Sequence, residues 1–479
     1  MLRTIFSVSL LFCTLCVFPQ EKSIGKFLSD SSLIHASVSL CIADAETGEI
    51  LEDYNSGKSL APASVMKLIT SAAAIELLGP EYTFKTIIGY TGSLNKRTGQ
   101  LTGNIIIKGG GDPALGSANF SEHYKDFIGK WSDDIKKAGI RTISGRVVTD
   151  DSYFDFLPFH AKWLWEDSGV SYGAGIYGLS VFDNTYEIHM ESTTDSARLN
   201  ISSVVPAECK YDFSNYMTAT GTTDNSRIFA APYSTLVVLE GTGPANNKDF
   251  VLKASITDPP LLITKMVNER LKAEGIKVSK EPTTTRLEPV CLHREIVPVS
   301  ETISPTLASI INILNHESVN LYAEHLTKEL GKVYKNSGST AAGIEVIRSF
   351  LDNAGINTKG MFIEDGSGLS PQNSINSKEL VNLLIYMKKN GRYFTEYYSS
   401  LPEAGKTGTL KNSFKDPVFD SNFRAKTGSM TRVRSYAGYF TTLSGRKMVF
   451  SILVNDFTGP STNVSVTIKE FLKEMILTK

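Results

Sequence analysis

The sequence predicts a protein of the α/β class, in a mixed α+β arrangement of helices and strands with a large strand-rich insert. An apolar helical pattern covers residues 61–78, and helical patterns return from residue 304. Between about residues 82 and 290 the chain consists mostly of short alternating strands and turns. Helical segments therefore flank a long strand-rich region.

The individual elements follow from local signals. Two strands joined by a turn at residues 46–48 predict a hairpin over residues 37–54. Pro62 suits the first turn of the helix that follows, and Gly79-Pro80 ends it. Amphipathic periodicity predicts further helices over residues 307–330, 341–354, 377–389 and 464–477, and alternation predicts strands over residues 423–425, 435–440 and 447–454.

Composition and the start of the chain restrict the class of function. The formal net charge of −1 provides no basic field for a nucleic-acid partner. Residues 1–20 combine Arg3 with an apolar run from Ile5 to Phe18, which is short for a bilayer span and typical of a signal peptide. No later stretch is apolar enough to span a bilayer. We expect a periplasmic or otherwise exported protein without a transmembrane anchor.

Cysteines and histidines give no sign of a cofactor or a metal. Cys41, Cys209 and Cys291 follow the predicted signal, and an odd, sparse set means that the fold does not depend on disulfides. The sequence does not decide whether Cys209 and Cys291 form a bridge. The seven histidines lack ligand spacing, so we predict no metal; His316 and His325 are expected on helix surfaces or in local hydrogen bonds.

The first candidate site opens the apolar helix. Ser64 and Lys67 are three residues apart, so their side chains share one face of the first turn. The apolar surroundings and the helix dipole both disfavour the ammonium form of Lys67, and we expect its pKa to fall toward neutrality. A neutral lysine beside a serine hydroxyl is a general base beside a nucleophile. A second Ser-x-x-Lys copy, at Ser23 and Lys26, is expected at the solvated start of a surface helix.

Two further motifs are selected by their context. Ser318 and Asn320 form the one Ser-x-Asn copy that is flanked by apolar helix. Lys-Thr-Gly occurs at residues 406–408 and again at residues 426–428. Only the second copy precedes a predicted strand, and a carboxylate-binding edge needs a rigid strand beside the nucleophile. We therefore assign Lys426 rather than Lys406.

In this order the three motifs resemble the serine acyl-transferases, which include penicillin-binding proteins and serine β-lactamases. The long separation between Ser64 and Ser318 resembles the class C low-molecular-mass penicillin-binding proteins, the D-Ala-D-Ala carboxypeptidase/endopeptidase family. The resemblance extends over nearly the whole chain after the signal. Further stretches similar to that family are residues 108–113, 150–154, 172–174, 179–181, 365–370 and 437–439.

The resemblance implies a fold and a set of partners. After the signal peptide of residues 1–20, residues 21–85 and 290–479 would form a transpeptidase-like (serine β-lactamase-like) catalytic domain, with residues 86–289 as the strand-rich insert. The partners implied are peptidoglycan stem peptides and β-lactam antibiotics. The sequence does not determine the oligomeric state.

The resemblance also implies roles for individual residues. The catalytic set is Ser64 as nucleophile, Lys67 as base, Ser318 as proton relay, Asn320 as holder of the substrate amide and Lys426 for the terminal carboxylate. The substrate-binding set is Thr427, Gly428, Ser429 and Asp150. Backbone N–H groups of Ser64 and Ser429 would form the oxyanion hole.

One position departs from the family pattern. Many relatives carry an arginine after Asp-Gly-Ser-Gly-Leu-Ser, where it helps to hold the side-chain carboxylate of diaminopimelate. Pro371 stands there in this chain, followed by Gln372. The aspartate that takes the diaminopimelate amine in relatives matches Asp150, with Asp151 as the alternative register. The sequence thus retains a partner for the amine and lacks one for the carboxylate, unless Arg432 or Arg434 replaces the arginine.

Other chemistries fit the sequence less well. A β-lactamase is disfavoured for two reasons. The sequence lacks a Glu-x-x-x-Asn type deacylation segment within a compact chain, and its insert is very large. A penicillin-sensing or cell-wall-binding protein without peptidase activity is disfavoured because all the motif residues are present. Residues 169–173 match a nucleophile-elbow pattern, but no apolar strand precedes them, so a turn is predicted.

Overall fold

The structure is a computed structural model that describes residues 20–192, 198–220, 222–289 and 295–479. Nearly all of the predicted signal segment lies outside these residues, as does Cys291 and with it the question of a Cys209–Cys291 bridge. Cys41 is fully buried. Within the described part of the chain, no helix is long and apolar enough to cross a membrane.

The α-helices of the described residues are, in chain order, α1 Gln20–Leu28, α2 Lys67–Leu78, α3 Ser121–Tyr124, α4 Phe127–Lys137, α5 Pro259–Ala273, α6 Leu307–His316, α7 Asn320–Lys335, α8 Thr340–Asn353, α9 Ser377–Asn390, α10 Phe394–Ser399 and α11 Ser461–Thr478. The strands are β1 Ser37–Asp44, β2 Ile50–Tyr54, β3 Lys85–Tyr90, β4 Ser93–Asn95, β5 Gln100–Thr102, β6 Ile105–Lys108, β7 Thr142–Ile143, β8 Val147–Asp150, β9 Thr185–Glu191, β10 Asn200–Val205, β11 Asp212–Asn215, β12 Thr218–Ala219, β13 Asn225–Ala230, β14 Leu236–Gly243, β15 Phe250–Ser255, β16 Lys277–Val278, β17 Thr283–Thr284, β18 Val297–Ile303, β19 Phe423–Met430, β20 Val433–Thr441 and β21 Lys447–Asn455.

Strands near the beginning and the end of the described chain form one five-stranded antiparallel sheet, in the order β19-β20-β21-β1-β2. The predicted hairpin is confirmed as β1 and β2. Along β1, Leu40 and Ile42 pack in the core that includes α11, whereas Cys41 and Ala43 pack in the core that includes α2 and α9. Because side chains alternate along a strand, this apolar run buries both faces of the sheet.

The insert contains further sheets, ordered β17-β8-β6-β3-β18, β16-β7-β5-β4, β10-β9-β15 and β11-β14-β12, the last extended by β13. Strands β3 and β18 pair antiparallel, so the chain enters and leaves the insert side by side. We propose a division close to the one expected from the sequence, with β3 and β18 as the entry and exit strands of the insert.

The predicted helix over residues 307–330 is broken, which corrects the sequence interpretation. Helix α6 ends at His316 and α7 begins at Asn320. Ser318 lies between them with φ of 60°, a left-handed conformation that a continuous helix cannot contain. The apolar periodicity continues across the break because both helices pack into the same core.

Helix α7 joins the catalytic region to the insert through buried polar side chains. His325, which is buried rather than on the surface, contacts Ser180 and the carbonyl of Gly111, both at 2.9 Å. Lys328 donates to Asp155 at 2.6 Å while it is only 1% exposed. The Glu329 carboxylate accepts from the Tyr153 hydroxyl at 2.9 Å. Each contact satisfies a group whose burial would otherwise be costly.

Candidate active site

Lys67 occupies the centre of the site. Its amino group donates to the hydroxyl of Ser64 at 2.9 Å, to Oδ1 of Asn320 at 2.6 Å and to the carbonyl of Ser367 at 2.7 Å. Burial lowers the pKa of Lys67 to about 7, against the opposing charges of Asp365 and Glu324. At neutral pH a large fraction of this amine is therefore unprotonated and able to take the proton of Ser64.

The backbone of Ser64 lies directly against strand β19. Ser64 lies in a short 3₁₀ turn over Ala63–Met66, and α2 follows this turn directly. A Cβ on Gly428 would stand 3.0 Å from the Ser64 nitrogen and 2.6 Å from the Pro62 carbonyl oxygen. Only glycine permits this approach, which explains the third residue of the Lys-Thr-Gly motif.

Lys426 and Ser318 form the second pair of the site. The amino group of Lys426 donates to the Ser318 hydroxyl and to the carbonyl of Thr427, each at 2.8 Å. Lys426 is fully buried, and its pKa is lowered, first by burial and then by the nearby charge of Lys67. The left-handed backbone of Ser318 holds its hydroxyl at this position, and such strained conformations are frequent at functional sites.

Asn320 connects the site to the insert. Its Oδ1 accepts from Lys67, while its Nδ2 donates to the carbonyl of Tyr172 at 2.9 Å. Tyr172 belongs to a loop of the insert that carries short 3₁₀ turns. The amide orientation is thus fixed by partners on both sides, because its oxygen faces a donor and its nitrogen an acceptor.

A buried pair of carboxyl groups supports the loop that holds Lys67. Glu324 accepts from the Ser367 N–H at 2.7 Å, and burial raises its pKa to about 8. Asp365 accepts from the N–H groups of Gly368 at 2.8 Å and Ser370 at 2.6 Å. These contacts fix the carbonyl of Ser367 that accepts from Lys67. Sequence reasoning missed both acids, although Glu324 stands one helical turn after Asn320.

Two cavities meet at Ser64, Ser318 and Ser429. The larger, of about 560 Å³, is lined in part by Glu166, Asp167 and Asp456, and we call it the carboxylate-lined cavity. The smaller, of about 320 Å³, is lined in part by Arg434, Thr427 and Thr409, and we call it the arginine-lined cavity. The two cavities thus share the nucleophile and differ in the charge of their lining.

Pro371 lines the carboxylate-lined cavity, and none of its lining residues in the described chain is lysine or arginine. Arg434, a sequence candidate for replacing the family arginine, lines the other cavity. Within the same described residues, no group of three or more His, Cys, Asp or Glu side chains is arranged to hold a metal ion.

Asp150 lies apart from the other sequence-predicted site residues, because it lines neither cavity and its hydrogen-bond partners among the described residues do not line one either. It ends β8 inside the insert sheet, and its carboxylate accepts from the N–H and hydroxyl of Ser152. Asp151, the alternative register, is buried and accepts from Thr285. Local sequence similarity identified the stretch but not the direction of its side chains.

The two duplicate motifs lie elsewhere. Lys406 is paired with Glu403 and Asp420, each at 2.7 Å, and does not line either cavity. Ser23 is buried rather than solvated, which corrects the expectation, because α1 packs against α11 and the Ser23 hydroxyl donates to Glu474. Residues 169–173 form a turn, as predicted.

Comparison with known proteins identifies the family. The D-Ala-D-Ala carboxypeptidase 3 (S13) family matches residues 20–475, which is nearly all of the described chain. The chain belongs to this family. Membership of the S13 family makes it a serine peptidase of the penicillin-binding, D-Ala-D-Ala carboxypeptidase type. The family predicted from the three motifs is thereby confirmed.

Individual S13 relatives and solved structures agree with this. A D-alanyl-D-alanine carboxypeptidase from Actinomadura sp. (strain R39) is 27% identical over 454 residues, which cover 92% of this chain and 82% of the relative. The crystal structure of penicillin binding protein 4 from Haemophilus influenzae superimposes with a TM-score of 0.81 at 21% identity, covering 96% of this chain and 99% of that one. At that identity the superposition shows the fold, and it confirms the transpeptidase-like fold with a strand-rich addition.

Proposed function

We propose that this S13 family member cleaves the terminal D-Ala from peptidoglycan stem peptides through an acyl-enzyme on Ser64. The observation that carries the proposal is the 2.9 Å contact between the Lys67 amine and the Ser64 hydroxyl, in a place where burial lowers the lysine pKa to about 7. The unprotonated amine takes the hydroxyl proton as the Ser64 oxygen attacks the carbonyl of the penultimate D-Ala.

The backbone around Ser64 would stabilise the tetrahedral intermediate. The close approach of Gly428 to the Ser64 nitrogen sets β19 beside the attacked carbonyl, so we propose the N–H groups of Ser64 and Ser429 as the oxyanion hole. Such donors commonly contribute ~3 kcal/mol each to transition-state stabilisation.

Departure of the terminal D-Ala requires a proton and a binding site for its carboxylate. Ser318 lines both cavities and receives a hydrogen bond from Lys426, so we propose it as the proton relay to the amine. Thr427 and Arg434 line the arginine-lined cavity and supply donors that suit the terminal carboxylate, and the Lys426 amine lies beside it, 2.8 Å from the Ser318 hydroxyl. Water then hydrolyses the ester on Ser64, which restores the serine hydroxyl and releases the shortened stem as a free carboxylate.

The acyl side of the substrate would occupy the carboxylate-lined cavity. Glu166, Asp167 and Asp456 offer acceptors there for the side-chain amine of a diamino acid, in place of the predicted Asp150. A D-Ala–diaminopimelate cross-link presents the same kind of acyl group with a different leaving amine, so we propose that the enzyme also has endopeptidase activity. Because peptidoglycan lies outside the cytoplasmic membrane, the proposal includes export by the predicted signal in residues 1–20.

D-Ala release from a free pentapeptide, measured against pH, tests the function. We expect kcat/KM to rise as the pH increases through about 7, because the base form of Lys67 predominates above its pKa. The assay would run from about pH 5 to about pH 9, with released D-Ala quantified by coupled oxidation. A protein that binds penicillin but releases no D-Ala would be a sensor, and turnover of the penicillin adduct within seconds would indicate a β-lactamase.

Stem-peptide specificity gives a second prediction. Amidation of the diaminopimelate side-chain carboxylate should change the acylation rate by less than about tenfold, or ~1.4 kcal/mol, since no cation lines this cavity among the described residues. Acetylation of the side-chain amine should reduce the rate by more than that, because Glu166 and Asp167 lose a cationic partner. Stopped-flow acylation by the three peptides measures both effects. A large loss on amidation would reveal a carboxylate partner and contradict the prediction.

A further inference from the structure

An insert loop, residues 163–173, leaves large apolar side chains in solvent at the rim of the carboxylate-lined cavity. Trp165 is 60% exposed, Tyr172 is 54% exposed and Leu164 is 45% exposed. Leu164 and Tyr172 line the cavity itself, and Trp165 directly follows Leu164 along the chain. Exposed apolar surface concentrated beside a substrate cavity is typical of a binding surface.

The indole of Trp165 is held flat by a second aromatic ring. It stacks on Phe229 of β13, with ring centroids 6.4 Å apart and an angle of 16° between the planes. Phe229 is half-buried and supports the indole from the protein side. With Phe229 beside it in a nearly parallel plane and most of its area in solvent, Trp165 presents a planar apolar surface.

The loop that carries Trp165 is anchored at two points in its second half. A Cβ on Gly169 would stand 2.2 Å from the carbonyl oxygen of Ile228, so the loop backbone lies against β13. Ser255 of β15 donates to the carbonyls of Ser168 and Gly169, both at 2.9 Å. Three residues after Gly169, the Tyr172 carbonyl accepts from Asn320. These hydrogen bonds fix the surface relative to the catalytic residues.

The direction of the substrate determines what reaches this surface. In the proposed function the terminal carboxylate of the stem enters the arginine-lined cavity, and the rest of the stem passes through the carboxylate-lined cavity toward Leu164 and Glu166. A peptidoglycan stem is joined by its amino end to a sugar of the glycan strand. The sugar is therefore expected to leave the cavity past Leu164 and Glu166, the chain neighbours of Trp165.

We propose that Trp165, backed by Phe229, is a binding platform for the glycan strand that carries the stem peptide, an inference that rests on the proposed function. The apolar C–H face of a pyranose ring matches the flat, electron-rich face of an indole. Glu166, which is exposed beside Trp165 and lines the cavity, can accept from sugar hydroxyl or amide donors. The surface is thus continuous with the peptide cavity and suits an uncharged sugar.

The test compares Trp165→Ala with wild type on a free pentapeptide and on the same pentapeptide attached to its disaccharide. We expect kcat/KM for the disaccharide-linked substrate to fall roughly tenfold, and that for the free peptide to stay within about twofold. Trp165→Phe should retain most of the preference, since a ring remains. Leu443→Ala is the matched control, because Leu443 is 66% exposed in the turn between β20 and β21, at the opposite end of β20 from Arg434.

Binding of peptide-free glycan strands, measured by calorimetry with wild type and Trp165→Ala, separates this inference from the proposed function. Weaker binding by the variant would support the platform even if the wild type released no D-Ala. Equal reductions on both substrates, or no reduction on either, would overturn it. So would a change from dimer to monomer in Trp165→Ala with an unchanged disaccharide preference, because the surface would then serve a second copy of the chain.

Discussion

Replacement of Ser64 by alanine should abolish covalent labelling by penicillin and lower D-Ala release by roughly 10⁶-fold, as expected for a serine peptidase that loses its nucleophile. Ser64 is the hydroxyl that contacts the Lys67 amine, and no other group at that position can form the acyl bond. Intact-protein mass spectrometry after incubation with fluorescent penicillin measures the adduct, and peptide mapping assigns it to a residue.

The chain supplies its own control for this experiment. Ser23 and Lys26 repeat the Ser-x-x-Lys spacing, but the Ser23 hydroxyl donates to Glu474 on α11, away from the cavities at Ser64. Ser23→Ala should therefore keep one adduct per molecule. A label on Ser23 or on Ser171 in the wild-type protein would refute the assignment.

Replacement of Lys426 by alanine should lower the rate of acylation by a D-Ala-D-Ala peptide by a factor that corresponds to about 2–5 kcal/mol. The change removes the cation for the terminal carboxylate and the donor to Ser318, and it leaves the incoming carboxylate unpaired in a buried place. The acylation rate constant from stopped-flow measurements gives the effect, and a thermal melt verifies that the variant is folded.

Lys406 belongs to the duplicate motif and is the matched control. Its amino group lies at the surface with Glu403 and Asp420, and surface pairs of this kind contribute little to stability. Lys406→Ala should therefore acylate within a few-fold of wild type. A larger reduction for Lys406→Ala than for Lys426→Ala would show that the two motif copies had been exchanged.

Local patterns in the sequence were sufficient for most elements. Alternation over residues 37–54 predicted the β1–β2 hairpin, and the uninterrupted apolar helix predicted the burial of Lys67. The break at Ser318 was missed because apolar periodicity reports which face is buried and not whether the backbone is continuous. A single residue in the left-handed conformation does not change that periodicity.

The remainder of the site depends on interactions between distant segments. Tyr172 fixes the amide of Asn320, and the buried acids Glu324 and Asp365 fix the loop around Lys67. None of these roles follows from spacing along the chain. The substrate-binding role of Asp150 stays a prediction, since a motif matched by similarity carries its residue types but not the direction of their side chains.

The buried polar side chains of α7 bear on whether this enzyme can be reduced to a minimal catalytic fragment. Because β3 and β18 run side by side, the two backbone ends that excision of the insert would leave lie close together. Excision would, however, remove Asp155 from Lys328, and a buried lysine that loses its partner costs about 3–5 kcal/mol; Glu329 would lose Tyr153 but keep Tyr82. The helix that begins at Asn320 would carry that penalty within about three turns of the active site. We therefore expect the catalytic region to depend on the insert for its stability.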